Sequence, residues 1–150
     1  VTSFETETKA HNVIPERVHL KGTVRTLSPA IRDLAEEKMK LIVESTAAAF
    51  GGTAVLDYNR NYPVTVNHDV NTEYAAAAAR AVSGDCADAP LVMGGEDFAF
   101  MLEARPGAYI LVGNGDTAPV HHPKYNFNDE AIPAGCSWWA EIVEQRLPAA

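Results

Sequence analysis

The sequence predicts an α/β protein in which a small α+β unit precedes the end of a larger α/β domain. Strand and helix patterns alternate along the 150 residues, and an alanine-rich segment after residue 68 marks a change in composition. With 47% apolar residues, the chain has enough hydrophobic side chains to bury a core. We therefore expect two domains, at residues 1–68 and 69–150.

The first domain is predicted to have the order strand, strand, helix, strand. After an extended first segment, residues 18–27 read VHLKGTVRTL, and their alternation of apolar and polar side chains predicts a half-buried strand. Ser28 and Pro29 then supply an N-cap and a first-turn proline for a helix that ends near residue 51. The segment 53–63 predicts a further strand.

The second domain is predicted to alternate helices and strands. Asn71 or Thr72 can cap an alanine-rich helix that runs to about Ser83. Four further features follow along the chain: a short strand near residues 91–93, a helix that opens within GGEDF, an apolar strand over residues 108–114, and a final helix from about Asp129 to Arg146. This order favours a mainly parallel sheet.

Charge and composition exclude several classes of partner. A net charge of -8 argues against nucleic acid, whose phosphates require clustered Lys and Arg. No apolar run approaches the roughly 18 residues that span a bilayer, and the first residues do not resemble a signal peptide, so we expect no membrane partner. Cys86 and Cys136 lack the number and spacing of a disulfide framework, which fits a cytoplasmic protein.

His121 is the candidate metal ligand. It lies in a loop after the apolar segment 108–114, and ligands gather after the carboxyl ends of strands in open α/β sheets. A neutral imidazole binds zinc, manganese or cobalt. The alternative is an ordinary surface histidine beside a proline turn, which the pattern alone favours. His122 is expected to point elsewhere.

Two polar residues of the first domain could contact a ligand. Arg25 lies on the polar face of its predicted strand and could grip a carboxylate with two hydrogen bonds. Asn12 precedes Val13-Ile14-Pro15 and could donate to a developing oxyanion. A solvated strand residue and a turn former are the alternatives, and the pattern alone favours them.

Acidic residues open two of the predicted helices. Glu96 and Asp97 follow a glycine pair, and Asp129 and Glu130 begin the last helix. Helix capping explains both pairs simply, because backbone N–H groups and the helix dipole favour negative charge there. A carboxylate at such a place could also bind a metal, support a metal ligand or carry a proton.

Four motifs occur in order along the chain: AHNVIP, GTVRT, GGEDFAF and VHHPKYNFNDEAIPAG. Together they resemble the C-terminal part of an aminoacylase-type metallopeptidase of family twenty, in the amidohydrolase branch. That branch contains hippurate hydrolases, N-acyl-amino-acid amidohydrolases and auxin-conjugate hydrolases. The resemblance implies a zinc-peptidase-like α/β catalytic domain interrupted by an α+β lid that also mediates dimerisation. Residues 1–68 would then belong to the lid and residues 69–150 to the catalytic domain.

The resemblance also implies roles for single residues. His121 opens the H-x-P-x-[FY] loop and corresponds to the last metal ligand of a site that holds two divalent ions, such as zinc, manganese, cobalt or nickel. Asn12 corresponds to a residue that contacts the substrate carbonyl oxygen, and Arg25 to one that contacts the substrate carboxylate. Glu96 corresponds to the acidic residue of [GS]-x-EDF, a candidate for supporting a metal ligand.

The function implied by the resemblance is metal-dependent hydrolysis of the amide bond in N-acetyl or N-benzoyl amino acids by an intact, homodimeric parent protein. In such enzymes the other metal ligands, including a Cys-x-His pair, and the glutamate base lie upstream of the lid, and nothing in this chain replaces them. We therefore expect the 150-residue chain alone to be inactive. The alternatives are a dimerisation and binding fragment without catalysis and a non-enzymatic domain that binds small molecules.

Overall fold

The computed structural model describes residues 1–147, which form two strands and four helices. In chain order these are β1 (Ser3–Thr6), β2 (Val18–Lys21), α1 (Pro29–Ala49), α2 (Asp69–Ser83), α3 (Phe98–Ala104) and α4 (Ala131–Arg146). No helix of this part of the chain is long and apolar enough to cross a membrane.

The chain divides into two compact units. The first comprises Val1–Asn61 together with Met93–Gly95, and the second comprises Tyr62–Val92 and the residues from Glu96 onward. The assignment of residues 1–68 to a lid and of residues 69–150 to a catalytic domain stays a prediction.

The strands β1 and β2 form an antiparallel pair with Ser3 opposite Lys21 and Thr6 opposite Val18. The observed strand β2 is shorter than the predicted strand over 18–27, and the prediction that it is half-buried is wrong. All four of its residues are exposed. The reason is that no other helix or strand of residues 1–147 packs on the pair, so neither face is covered.

Helix α1 begins and ends where the sequence predicts. The Ser28 hydroxyl accepts a hydrogen bond from the Ile31 backbone N–H, and Pro29 occupies the first turn. The helix ends at Ala49, and Gly51 then adopts a positive φ of 76°, a conformation that glycine adopts at little cost. The local capping signals were therefore sufficient to place this helix.

The segment 53–63 does not form the predicted strand. Among residues 1–147 it has no hydrogen-bonded neighbour strand, and a strand requires one. It is tied instead to α1 by ion pairs, because Arg60 contacts Asp33 at 2.6 Å and Glu36 at 2.5 Å. Ion pairs of Arg60, rather than backbone hydrogen bonds to a neighbouring strand, therefore attach this segment to α1.

The core of the second unit lies between α2 and α4. Ala75 and Ala78 of α2 are buried against Trp138 of α4, and small alanine side chains let the two helices approach closely. The Trp138 indole N–H donates to the Ala75 carbonyl at 2.9 Å, which satisfies its buried donor. Ala108 and Ile110 pack against this cluster.

Helix α2 begins earlier than predicted. The residue at its N-cap is His68, and neither Asn71 nor Thr72 caps it. The His68 backbone N–H donates to the Gly107 carbonyl at 3.1 Å, and the Thr72 hydroxyl donates back to the His68 carbonyl at 3.0 Å. A contact with a distant segment therefore fixes the start of the helix and overrides the local capping preference.

The predicted strands near residues 91–93 and over 108–114 are also not formed as paired strands. The sheet of residues 1–147 contains β1 and β2 alone, so the described residues do not form the expected parallel sheet of the second domain. Parallel strands pair only with neighbours that the chain reaches through a crossover, and no such neighbour is present among these residues.

Candidate functional site

His121 occupies the third position of a tight turn. The turn is closed by a hydrogen bond of 3.1 Å from the His122 N–H to the Pro119 carbonyl. His121 has a φ of 69°, and it is the one non-glycine residue of the described chain with a positive φ. A type II turn requires a positive φ at this position, and histidine adopts it more readily than most residues.

The two adjacent histidines use their rings differently. The ring of His122 accepts a hydrogen bond at Nδ1 from the Lys124 N–H, at 3.1 Å, and so holds the loop backbone. The exposed ring of His121 makes no hydrogen bond or ion pair with any of residues 1–147. Its two nitrogens are therefore available to an external partner, as a metal ligand requires.

Asn114 holds the base of the loop that carries His121. Its side-chain amide donates to the Asn126 carbonyl at 2.9 Å and accepts from the Asn128 N–H at 2.8 Å. Asn128 in turn accepts a hydrogen bond from the Glu130 N–H at 3.0 Å. The prediction that Asp129 and Glu130 cap the last helix is therefore wrong, because the Asn128 side chain takes that N–H and Glu130 makes no capping hydrogen bond.

Glu96 is held at the start of α3 by two donors. Its Oε1 accepts from the Phe98 N–H at 3.1 Å, and its Oε2 accepts from the Tyr109 hydroxyl at 3.0 Å. The Phe98 N–H and then the Tyr109 hydroxyl keep the pKa of Glu96 below its usual value. The Glu96 hydrogen bond and then burial raise the pKa of Tyr109. Glu96 thus binds the first N–H of α3, whereas Asp97, at the N-cap, makes no capping hydrogen bond. Any role of Glu96 in catalysis stays a prediction.

Tyr109 itself is held by a residue that the sequence analysis did not single out. The Asn67 side chain donates to the Tyr109 carbonyl at 2.9 Å and accepts from the Tyr109 N–H at 2.8 Å. Asn67 and Asn114 therefore each supply a two-bond contact to a distant backbone segment. No local sequence signal marked these contacts, because each asparagine lies 12 or more residues from the backbone groups that it binds.

The two residues predicted to contact substrate lie in the first unit. The exposed guanidinium of Arg25 donates to the Met93 carbonyl at 2.9 Å and makes no ion pair with any of residues 1–147. Asn12 is exposed in a turn, and its amide makes no hydrogen bond within the same residues. No hydrogen bond joins Asn12 to Arg25, or Glu96 to His121.

Among residues 1–147, His121 fits the position of one metal ligand. Within residues 1–147, no group of three or more His, Cys, Asp and Glu side chains is placed to hold a metal ion. His121 has the required donor atoms free and exposed, on a turn of fixed geometry. This part of the chain could therefore supply a ligand, whereas a stable ion needs several.

The comparison with known families gives a match over residues 5–145 to the model of Peptidase family M20/M25/M40. The chain is 31% identical to an N-acetylcysteine deacetylase of Bacillus subtilis, over 88% of this chain and 35% of that protein. It is 32% identical to a hippurate hydrolase of Campylobacter jejuni, over 92% of this chain and 37% of that protein.

Among solved structures, the fold matches the YXEP protein of Bacillus subtilis, described as a dinuclear metal binding peptidase from the M20 family. The TM-score is 0.79 at 30% identity, and the match covers 99% of this chain and 41% of that chain. This match confirms the predicted fold class. The chain spans about a third of the length of the curated relatives that it matches.

Proposed function

This chain belongs to Peptidase family M20/M25/M40, and from that premise we propose that the full-length protein hydrolyses the amide bond of N-acyl amino acids with the help of divalent metal ions. The observation that carries the proposal is His121, a free imidazole on a turn of left-handed geometry within the H-x-P-x-[FY] loop. Non-glycine residues in that conformation concentrate at functional sites.

The names of the relatives support the reaction class. An N-acetylcysteine deacetylase and a hippurate hydrolase both act on an N-acylated amino acid that keeps a free carboxylate. The solved relative is described as binding a dinuclear metal centre. When bound, such ions supply Lewis-acid activation of the amide carbonyl and of water.

The residues of this chain would divide the work of binding. We propose that His121 supplies one metal ligand and that Arg25 holds the substrate carboxylate. The Arg25 guanidinium is oriented by the neutral Met93 carbonyl, so its charge is not already neutralised by an acidic side chain of residues 1–147. Asn12, whose amide is free, would donate to the carbonyl oxygen as negative charge develops there.

The test compares two histidine variants of the full-length protein. His121→Asn removes the imidazole while keeping a residue that tolerates a positive φ. His122→Asn is the matched control, because an asparagine can accept a hydrogen bond from the backbone N–H two residues onward, as the His122 ring does from Lys124. Bound metal is measured by elemental analysis. Turnover is measured with N-acetyl and N-benzoyl amino acids in the presence of added manganese, zinc or cobalt.

We expect His121→Asn to lower metal content and to reduce turnover by at least about 100-fold, since a ligand is lost from a catalytic metal site. His122→Asn should retain both. Full metal content and full activity in His121→Asn would contradict the ligand assignment. Lack of turnover on every N-acyl amino acid by the metal-loaded wild-type protein would contradict the proposed reaction.

A second candidate applies to the 150-residue chain by itself: a module that pairs with a second copy through the first unit and catalyses nothing. The observation that favours it is the lack of any three-residue metal cluster within residues 1–147. The exposed apolar residues of α1, including Ile31 and Ile42, offer a surface for pairing. Sedimentation of the isolated chain at several concentrations would show whether it dimerises.

A further inference from the structure

We propose that Asn114 is a positioning residue for the metal-ligand loop, and that its side chain sets how tightly the His121 site binds a divalent ion. This inference rests on the proposed function, because it assigns a role toward the same ligand. The metal-ligand loop is defined as residues 115–127, and His121 is its middle residue.

The Asn114 amide acts as a substitute for a strand neighbour. One side chain donates to the Asn126 carbonyl and accepts from the Asn128 N–H, at 2.9 and 2.8 Å. A backbone residue in a parallel ladder bonds in the same way to the two residues that flank its partner on the facing strand. The Thr117 hydroxyl adds a longer bond of 3.3 Å to the same Asn126 carbonyl. The two ends of the metal-ligand loop are thereby joined at its base.

The base of the loop is attached to the start of the helix that packs in the core of the second unit. Asn128 accepts the Glu130 N–H immediately before α4, and α4 inserts Trp138 into the buried core. Gly115, beside Asn114, has a φ of 79°, and a Cβ at that position would lie 3.8 Å from the Asn128 side chain. The backbone therefore turns sharply after Asn114, and Gly115 lies close to Asn128.

The remainder of the loop is built from turns that extend this fixed base to His121. The Tyr125 N–H donates to the His122 carbonyl at 2.9 Å, and the His122 N–H donates to the Pro119 carbonyl at 3.1 Å. His121 is the third residue of the turn formed by residues 119–122, and the second turn begins at His122. The turns fix the backbone conformation at His121, and the Asn114 amide fixes the base of the loop from which the turns extend. Loss of that amide should therefore let His121 move away from the position in which it would bind a metal ion.

The expected size of the effect follows from the behaviour of residues that orient metal ligands. Removing a partner that holds a ligand in place costs about 10- to 100-fold in metal affinity. Ordering a loose loop on binding has an entropic cost, which a loop that is already ordered avoids. For Asn114→Ala we expect about a 10-fold increase in the Kd for Co²⁺.

The experiment titrates Co²⁺ into metal-free, full-length protein and follows the visible absorption of the bound ion. Asn67→Ala is the matched control, because Asn67 makes the same two-bond contact, to Tyr109, away from the metal-ligand loop. Amide hydrogen exchange of residues 115–128 in the metal-free protein reports whether the loop has loosened. We expect faster exchange and weaker Co²⁺ binding in Asn114→Ala, and a Kd within about twofold of wild type in Asn67→Ala.

Three results separate this inference from the proposed function. Faster exchange in Asn114→Ala with an unchanged Co²⁺ Kd would overturn the inference and leave the metal-dependent function standing. An equal loss of affinity in Asn67→Ala would overturn it too, because general destabilisation would then explain the effect. Unchanged Co²⁺ binding in His121→Asn would overturn the assignment of His121 as a metal ligand. That result concerns the proposed function, because it comes from a different variant.

A second substitution covers the case in which Asn114→Ala does not fold. Asn114→Asp keeps an acceptor for the Asn128 N–H but loses the donor to the Asn126 carbonyl. We expect it to fold and to weaken Co²⁺ binding at neutral pH. Wild-type affinity in folded Asn114→Asp would overturn the inference.

Discussion

Arg25 and Arg60 belong to the same compact unit, and their guanidinium groups have different surroundings. Arg60 contacts two carboxylates, and the hydrogen bonds to Glu36 and then to Asp33 raise its pKa further above the usual value. Arg25 contacts only the neutral Met93 carbonyl among residues 1–147. A carboxylate arriving at Arg25 therefore meets a positive charge that no acidic group of the chain has neutralised, which suits substrate binding.

We predict that Arg25→Ala lowers kcat/KM for N-acyl amino acids roughly 10- to 150-fold. This loss corresponds to about 1.5 to 3 kcal/mol of transition-state stabilisation, as expected for a lost hydrogen bond to charge. Arg25→Lys should recover only part of the loss, because an ammonium cannot form the paired contact of a guanidinium. Initial rates of the full-length protein provide the measurement, with carboxyl-esterified substrates in parallel.

The esterified substrates and a second arginine provide the controls. With the carboxylate blocked, Arg25→Ala should change kcat/KM little, because the interaction is already absent. Arg17 is an exposed arginine of the same unit, 3.9 Å from Glu7, and Arg17→Ala should leave kcat/KM unchanged. Equal losses on free and esterified substrates would contradict a carboxylate-binding role for Arg25.

At the scale of elements, the Glu96 to Tyr109 hydrogen bond connects the start of α3 to the segment that follows Gly107. The pKa of Glu96 is lowered, so its stabilising contribution is present above the usual glutamate pKa of about 4.3 and is lost as the pH falls through the lower folded value. The pKa of Tyr109 is raised, so its contribution is present below about pH 10 and is lost as the pH rises through the higher folded value.

We predict that Tyr109→Phe destabilises the protein between about pH 5 and pH 9, and that the difference from wild type shrinks at both extremes. The pKa of Glu96 should rise in this variant but stay below the usual value, because the Phe98 N–H remains. Urea unfolding across pH and carbon NMR titration of the Glu96 carboxyl provide the measurements.

A second tyrosine provides the control for this prediction. The Arg146 guanidinium carbon lies over the Tyr74 ring, 3.7 Å from the ring centroid. A cation–π contact of this kind survives the change to phenylalanine. Tyr74→Phe should therefore leave the pH dependence of stability unchanged. A wild-type pKa for Glu96 in Tyr109→Phe would show that the hydroxyl contributes nothing to the shift.

The elements also show what could be predicted from the sequence. Helix α1 was located correctly because Ser28, Pro29 and the glycines after Phe50 act within a few residues of the helix ends. The segment 108–114 was predicted as a strand from its apolar composition, yet a strand also needs a neighbour, and none lies within residues 1–147. Local signals therefore placed both ends of α1, whereas the start of α2 and the pairing of strands depend on residues far away along the chain.

The candidate site divides in the same way. His121 could be recognised because its motif is contiguous, from Val120 to Tyr125. The asparagines that bind the surrounding backbone could not be recognised from the sequence. The hydrogen-bond partner of Asn67 is 42 residues away, and those of Asn114 are 12 and 14 residues away. An asparagine side chain pairs with whichever backbone the fold brings to it, and no local pattern records that partner.

At the scale of the whole molecule, apolar surface greatly exceeds buried core. The buried residues of the described chain are Ala75, Ala78, Ala99, Leu102 and Trp138. Helix α1 has no buried residue, and its Ile42 is 61% exposed. Clefts of about 400 and 290 Å³ lie along the 108–114 segment, each bounded on another side by Trp138 of α4. Exposed apolar surface of this extent within a unit is typical of a surface that contacts another part of a protein or a partner.

The last prediction compares the 150-residue chain alone with the full-length protein. We expect the isolated chain to bind the dye ANS several-fold more strongly, because its apolar surface lies open, and to show no turnover on N-acetyl or N-benzoyl amino acids. Dye fluorescence at equal molar concentration and an assay with added manganese, zinc or cobalt provide the measurements.

A variant on α1 shows whether its apolar face is covered in the full-length protein. In the isolated chain, Ile42→Glu should change the free energy of unfolding by no more than about 0.5 kcal/mol, as expected for a surface position. In the full-length protein the same change should cost about 2 kcal/mol or more, because a charge would be buried under the covering surface. Equal effects in both proteins would mean that α1 stays exposed, and turnover by the isolated chain would mean that residues within it complete the site.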